Sequence, residues 1–283
     1  MDGKIISSTT LLCLPDDPIS YIDPFGLEKI VVSGGSDGEE QFKYSFIETA
    51  ILQIHDWQAL SPEMITWFIA NWKYSPDDLA NFKTVADMHG VSLTIMDNKQ
   101  QLFDYMNKAG RADDPITAVS FFAHGTAFDV AGTVPNPGYS NQYAIALGYC
   151  ATMKQPHNND LNIFVSDLSK INSSDFAKGC YTFSGACRAG NSFGGVIFAQ
   201  EWANLTNGSV KATTGPNGRT EYTNIFPYDR GLVNRALNLV GLKKDIGKAS
   251  RETARELYGF SAQGCINYPS PTYFTWWKTF KTN

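Results

Sequence analysis

No apolar run in this sequence reaches the roughly 18 residues that a membrane-spanning helix needs, and no signal-peptide architecture opens it, so neither feature is expected. Charge is sparse. Only 18% of the residues are charged, the net charge is −5, and no basic patch stands out, which argues against nucleic acid as a partner. The five cysteines are an odd number without regular spacing, the pattern of free thiols in a reducing compartment and not of a disulfide framework. Together with the four histidines they show no metal-ligand spacing, so neither a metal nor another cofactor is expected. Internal repeats and low-complexity tracts are absent as well. What remains is 283 residues, 43% of them hydrophobic, enough for one large core with tails.

From Glu28 onward, strand and helix signals alternate. Residues 29–32 are a β-branched run stopped by Ser33-Gly34-Gly35, and residues 39–54 carry apolar side chains at helical spacing, from Phe42 and Phe46 to Ile54. Ser61-Pro62 and Ser75-Pro76 each pair an N-cap with a proline at the first helical position, so a helix is expected after each. His89-Gly90 closes the second helix, residues 91–96 read as a strand, and Asp97 or Asn98 caps a helix that Gly110 ends. Further strands are expected over 116–123, 143–147, 161–165, 180–186 and 209–213, with a helix over 193–205 ended by Asn207-Gly208. The pair Gly194-Gly195 within it suggests close helix-to-sheet contact. Residues 126–179 hold more than a tight loop requires, and a hairpin or flap beside a cleft is expected there. Residues 232–257 have helical periodicity, and the aromatic stretch 268–280 suits a core cover. The pattern predicts an α/β three-layer sandwich, a mostly parallel sheet with helices on both faces and ligands at the carboxyl ends of the strands.

Two of those ends carry chemistry. The run 180–186 leads into Cys187-Arg188, where a thiol is rigidly held, and the small residues Gly185, Ala186, Ala189 and Gly190 leave room for a substrate backbone. Asn191 or Ser192 would cap the following helix, placing its positive end near Cys187 and favouring the thiolate. The run 116–123 ends on His124-Gly125, where an imidazole can face the cleft as a base and Gly125 can present its N–H. His89 reads as the end of a helix that Gly90 caps, and His55 and His157 as surface or loop residues.

An apolar strand ending in His-Gly, followed by a second ending in Ala-Cys, resembles the caspase-like cysteine peptidases of clan CD. Ala186-Cys187-Arg188 matches the core of the caspase signature, although Gly185 replaces its Gln and Ala189 its Gly. The order His then Cys is the reverse of papain-like enzymes. The resemblance implies a caspase-like sandwich, a His124–Cys187 dyad, and an oxyanion site from the backbone N–H groups of Gly125 and Cys187. It also implies a substrate pocket from residues 33–38 together with Ser184 and Gly185. Asp37 is the only charged residue in that set, which leans towards a basic residue on the amino side of the cut.

Residues 1–27 read as a linker punctuated by Pro15, Pro18, Pro24 and Gly26. Asp17-Pro18-Ile19-Ser20-Tyr21-Ile22-Asp23-Pro24-Phe25-Gly26-Leu27 resembles the end of the core of Rhs/YD-repeat polymorphic toxins, where the shell protease cuts after the Leu. That implies a junction remnant over 1–27 and a toxin domain over 28–283, released between Leu27 and Glu28. The implied partners are the Rhs shell before release, a cognate immunity protein, and a protein substrate in the cytosol of the cell into which the effector is delivered. The expected activity is cysteine endopeptidase. A Cys-His deamidase or acyltransferase, and a non-catalytic binding toxin, remain as alternatives.

Overall fold

Strands rich in β-branched and aromatic residues, buried on both faces, build the centre of the molecule. The computed structural model of the protein describes residues 27–36, 43–128, 142–149, 158–214 and 276–283. Strand β1 (Glu28–Ser33) is buried at every position; it is followed by helix α1 (Ser45–Leu60), β2 (Met64–Ala70), α2 (Pro76–Met88), β3 (Ser92–Met96), α3 (Lys99–Met106) and β4 (Ile116–Phe122). Beyond it come β5 (His124–Phe128), β6 (Gln142–Ala146), β7 (Ile163–Phe164), β8 (Phe176–Ser184), β9 (Ser192–Phe193), β10 (Val196–Ile197), α4 (Phe198–Thr206), β11 (Ser209–Thr214) and β12 (Trp276–Lys281).

Seven strands form the main sheet in the order β12-β11-β8-β4-β1-β2-β3. All neighbours are parallel except β11 and β12. Helices α1 and α2 cover one face, where Phe46, Ile47, Ala50, Ile51, Ile54, Phe82 and Val85 pack on Val31, Trp67, Ile69 and Phe122. Helices α3 and α4 cover the other with Leu102, Phe103, Met106, Phe198 and Trp202 against Ile30, Val32, Phe68 and Phe121. Each such aliphatic or aromatic side chain contributes about 1.5–3 kcal/mol by leaving water. The three-layer α/β sandwich with a mostly parallel sheet is therefore what the chain adopts. Local signals agree with it: Ser75 and Asp78 form a capping box at α2 with Pro76 at N1, and Asn98 and Gln101 form another at α3.

The first corrections fall at 61–70 and 192–197. Ser61-Pro62 precedes a strand, not a helix: Ile65, Thr66, Trp67, Phe68 and Ile69 fill a central strand buried on both faces, and that burial outweighs the capping signal. Gly194-Gly195 is not within a helix. With φ of +58° and +85°, the two residues turn the β9–β10 hairpin, and α4 starts only at Phe198. The expected helix over 232–257 lies outside the described residues. Of the aromatic stretch 268–280, residues 268–275 lie outside the described residues. The remainder lies in β12, which pairs with β11 at one edge of the sheet, with Trp277 stacked on Phe183 at a centroid distance of 5.2 Å and Phe280 buried.

Winding places the site. From β1 the chain proceeds outward through β2 and β3, then returns to place β4 on the other side of β1, followed by β8 and β11. The reversal lies between β1 and β4, and the crevice at the carboxyl ends of such strands is where open α/β sheets bind ligands.

Candidate active site

Strand β4 leads to that crevice. Phe121 pairs with Ser184 of the adjacent parallel β8, and Gly185 N–H donates to the Phe121 carbonyl at 2.8 Å, so the strands are still in register where they end. His124 and Cys187 each lie three residues beyond the Phe121–Ser184 pair. His124 does more than terminate β4. After a bend at Ala123 it opens β5, which forms an antiparallel sheet with β6 and β7, and it pairs there with Ala146. The half-buried imidazole is wedged between two rings, Phe46 of α1 at 4.9 Å and Tyr149 at 5.5 Å, both edge-on. This β5–β6–β7 sheet is the flap expected after residue 125.

Cys187 is half-buried at the start of a tight turn. Arg188 has φ +61°, a left-handed conformation that a side chain with Cβ adopts only when its surroundings enforce it. Thr213 of β11 accepts from Arg188 N–H at 2.9 Å, and its hydroxyl donates to the Ala186 carbonyl at 3.3 Å. Tyr143 of β6, 1% exposed, donates its phenol proton to the Cys187 carbonyl at 2.7 Å. Burial, and the Cys187 thiol beside it, push this phenol well above its ordinary range, so it stays a donor. Gly125 closes the arrangement. A Cβ there would lie 2.7 Å from Cys187 N and closer still to Cys187 O and Tyr143 Oη, so the residue next to His124 is in direct contact with the Cys187 backbone.

Other expectations change. The amino end of α4 is not at Cys187: its Ile197 cap has no side-chain bond, and Ala199 N–H donates to Ala189 O at 3.0 Å, so the helix dipole cannot be assigned to the thiol. The small residues after the strand make room for the protein itself. A Cβ on Gly190 would meet Phe280 and the Thr213 carbonyl at 2.9 Å, and Ala186 and Ala189 are fully buried. Ser184 and Gly185 are buried as well, and Ser184 Oγ has no hydrogen-bond partner among the described residues. Asp37 lies outside the described residues. Cys180, buried in β8, has its thiol pushed up to about 12 by that burial, against a Thr182 hydrogen bond acting the other way.

At the opposite end of β1 stands the expected junction. Leu27 is half-buried, but Glu28 is fully buried, so linker character does not extend past Leu27. The Glu28 carboxylate pairs with Arg111, itself 1% exposed, and accepts from Thr66 and Tyr105 at 2.5 Å each. Arg111 reaches Asp114 at 3.1 Å.

Tyr143, Thr213, Phe46 and Tyr149 were not evident as site residues in the sequence. A tyrosine or threonine in an apolar strand carries no signal of what it faces. The C-cap of α2 is His89, one residue before the expected Gly90, His55 is exposed, and His157 lies outside the described residues. Among the described residues no cluster of His, Cys, Asp and Glu could hold a metal ion, and no helix is long and apolar enough to cross a membrane. Comparison with protein-family models, curated proteins and solved structures finds no match to this chain.

Proposed function

We propose that the protein is a cysteine endopeptidase toxin whose His124–Cys187 dyad cleaves proteins of the cell it enters. One observation carries the reading: Gly125, the residue after His124, is in contact with the Cys187 backbone at the carboxyl edge of adjacent parallel strands. Cys187 Sγ attacks the scissile carbonyl carbon as its proton passes to His124; the oxyanion is received by the backbone N–H groups of Gly125 and Cys187. The C–N bond then breaks, His124 gives its proton to the leaving amine, and a thioester remains on Cys187. Water deprotonated by His124 hydrolyses that thioester, releasing the acid and regenerating the thiol.

The delivery reading rests on the 17–27 motif, which ends one residue before β1 begins. A toxin freed at Glu28 would retain every described strand and helix. The test is enrichment of new protein termini in a lysate treated with the wild-type protein or with Cys187→Ala. New termini that depend on Cys187 are expected. A deamidation mass shift on side chains without new termini would overturn the peptidase reading, as would toxicity undiminished in Cys187→Ala.

A further inference from the structure

We infer that Tyr143 and Thr213 are positioning residues that together clamp the peptide between Cys187 and Arg188, holding the thiol at its station. The two come from different sheets, Tyr143 from the flap strand β6 and Thr213 from β11 of the main sheet. Each takes one end of the same peptide unit: Tyr143 Oη donates to its carbonyl at 2.7 Å, and Thr213 Oγ1 accepts from its N–H at 2.9 Å. Thr213 also donates to the carbonyl of Ala186 at 3.3 Å, so the backbone is held on both sides of Cys187. Both clamp residues are buried, at 1% and 0% exposure, where water cannot substitute for a lost bond without entering the core.

The clamp accounts for two features of the fold. The first is Arg188 at φ +61°, in which rotating the peptide back to an ordinary conformation would break both bonds at once. The second is glycine at 125, where any Cβ would collide with Tyr143 Oη and with the Cys187 carbonyl it serves. The flap thus does more than border the cleft. It carries His124 on β5 and the carbonyl clamp on β6, so base and nucleophile turn are referred to one rigid sheet. A displacement of the thiol by about 1 Å costs on the order of a hundredfold in rate, which is why such a device matters to a dyad.

The inference rests on the reading of Cys187 as nucleophile, and its test uses readouts that require no substrate. Amide exchange at Arg188 and the pH profile of Cys187 alkylation would be measured in wild type, Tyr143→Phe, Thr213→Val and Thr213→Ser. Thr213→Val is expected to accelerate exchange at Arg188. Tyr143→Phe and Thr213→Val are expected to slow alkylation at about pH 6 by about tenfold and to move its inflection towards that of an unassisted thiol near 8.5. Thr213→Ser, which keeps the hydroxyl, should restore wild-type behaviour. Tyr143→Phe removes a single oxygen and carries the test if Thr213→Val does not fold. Folded variants with wild-type exchange and a wild-type profile would overturn the clamp. Altered profiles together with undiminished toxicity of Cys187→Ala would leave the clamp standing and overturn only the peptidase reading.

Discussion

Replacing Gly125 with alanine is the smallest change that separates His124 from Cys187. The added Cβ would lie 2.7 Å from Cys187 N, against about 3.5 Å for an ordinary contact, and closer still to Cys187 O and Tyr143 Oη. Two of the three obstacles are backbone, and Thr213 and Tyr143 hold that backbone in place, so no flexible side chain can swing aside. Strand β5 and the Cys187 turn must instead part by roughly 1 Å. Overpacking of this kind costs about 1–3 kcal/mol, and 2 kcal/mol lowers the melting temperature by about 4–8 °C in a chain of this size. If His124 and Cys187 act as the proposed base and nucleophile, a shift of that size between them costs on the order of a hundredfold in rate. Thermal melting and the rate of Cys187 alkylation, read on the same sample, measure both effects. A Gly125→Ala protein that melts and labels like wild type would refute the reasoning, because the contact between the two segments would then be slack.

Three further outcomes are expected. Glu28→Ala leaves Arg111 buried beside an empty site and should cost about 3 kcal/mol in a urea titration, partly offset by Asp114, whereas a loss under 1 kcal/mol would mean that the network is solvated. Burial opposes ionisation of Asp78, but hydrogen bonds from Lys43, Tyr44 and Ser75 outweigh it and hold the carboxyl at about 2, below its ordinary 3.8. A depressed carboxyl contributes stability above its unfolded pKa and loses it as pH falls through the folded one. The advantage of wild type over Asp78→Asn should accordingly be about 2 kcal/mol above pH 4 and vanish towards pH 2; a gap that does not narrow would exclude the ion pair as its source. On the proposed delivery reading, the protein made within an Rhs parent should begin at Glu28 by N-terminal sequencing, and a start more than a few residues away would remove that reading. Because Glu28 is buried in β1, the bond before it should resist cleavage once the domain has folded.

Strands β1 and β4 were legible because burial on both faces writes them as near-continuous apolar runs. Strands β3, β8 and β11, with exposed or half-buried positions such as Ser92, Lys178, Tyr181 and Lys211, were legible only as short runs between turn signals, and β8 begins at Phe176, ahead of the run read from residue 180. Helix α2 and the start of α3 were legible from their caps, but α3 ends at Met106 with Asn107 as its C-cap and not at Gly110, which instead opens a short 3-10 turn over Arg111–Asp113. Strand β2 was not, since Ser61-Pro62 is a local signal and the burial of Trp67 and Phe68 between two helical layers is not. The β9–β10 hairpin was legible in principle, as Gly-Gly between Phe193 and Val196 is a hairpin turn, but reading Asn191 or Ser192 as an N-cap suggested a longer α4. His124 and Cys187 could be proposed from strand ends alone. Their supports could not: Tyr143, Thr213 and the left-handed Arg188 depend on which strands become neighbours, and that is a property of the winding order. The same holds for Gly190, whose smallness suggested room for substrate and instead admits Thr213 and Thr214 of β11 and Phe280 of β12.

The central claim is that Cys187 is a nucleophile activated by His124. A limiting dose of an alkylating reagent at about pH 6 tests it, because a thiol paired with imidazole is ionised there while a free one, near 8.5, is not. Cys180, with its thiol pushed up to about 12, supplies the internal reference. The account predicts that Cys187 is labelled first of the five cysteines, that activity falls in proportion, and that His124→Ala slows the labelling without unfolding the protein. Labelling of Cys187 no faster than the other thiols, or full labelling with activity intact, would contradict it.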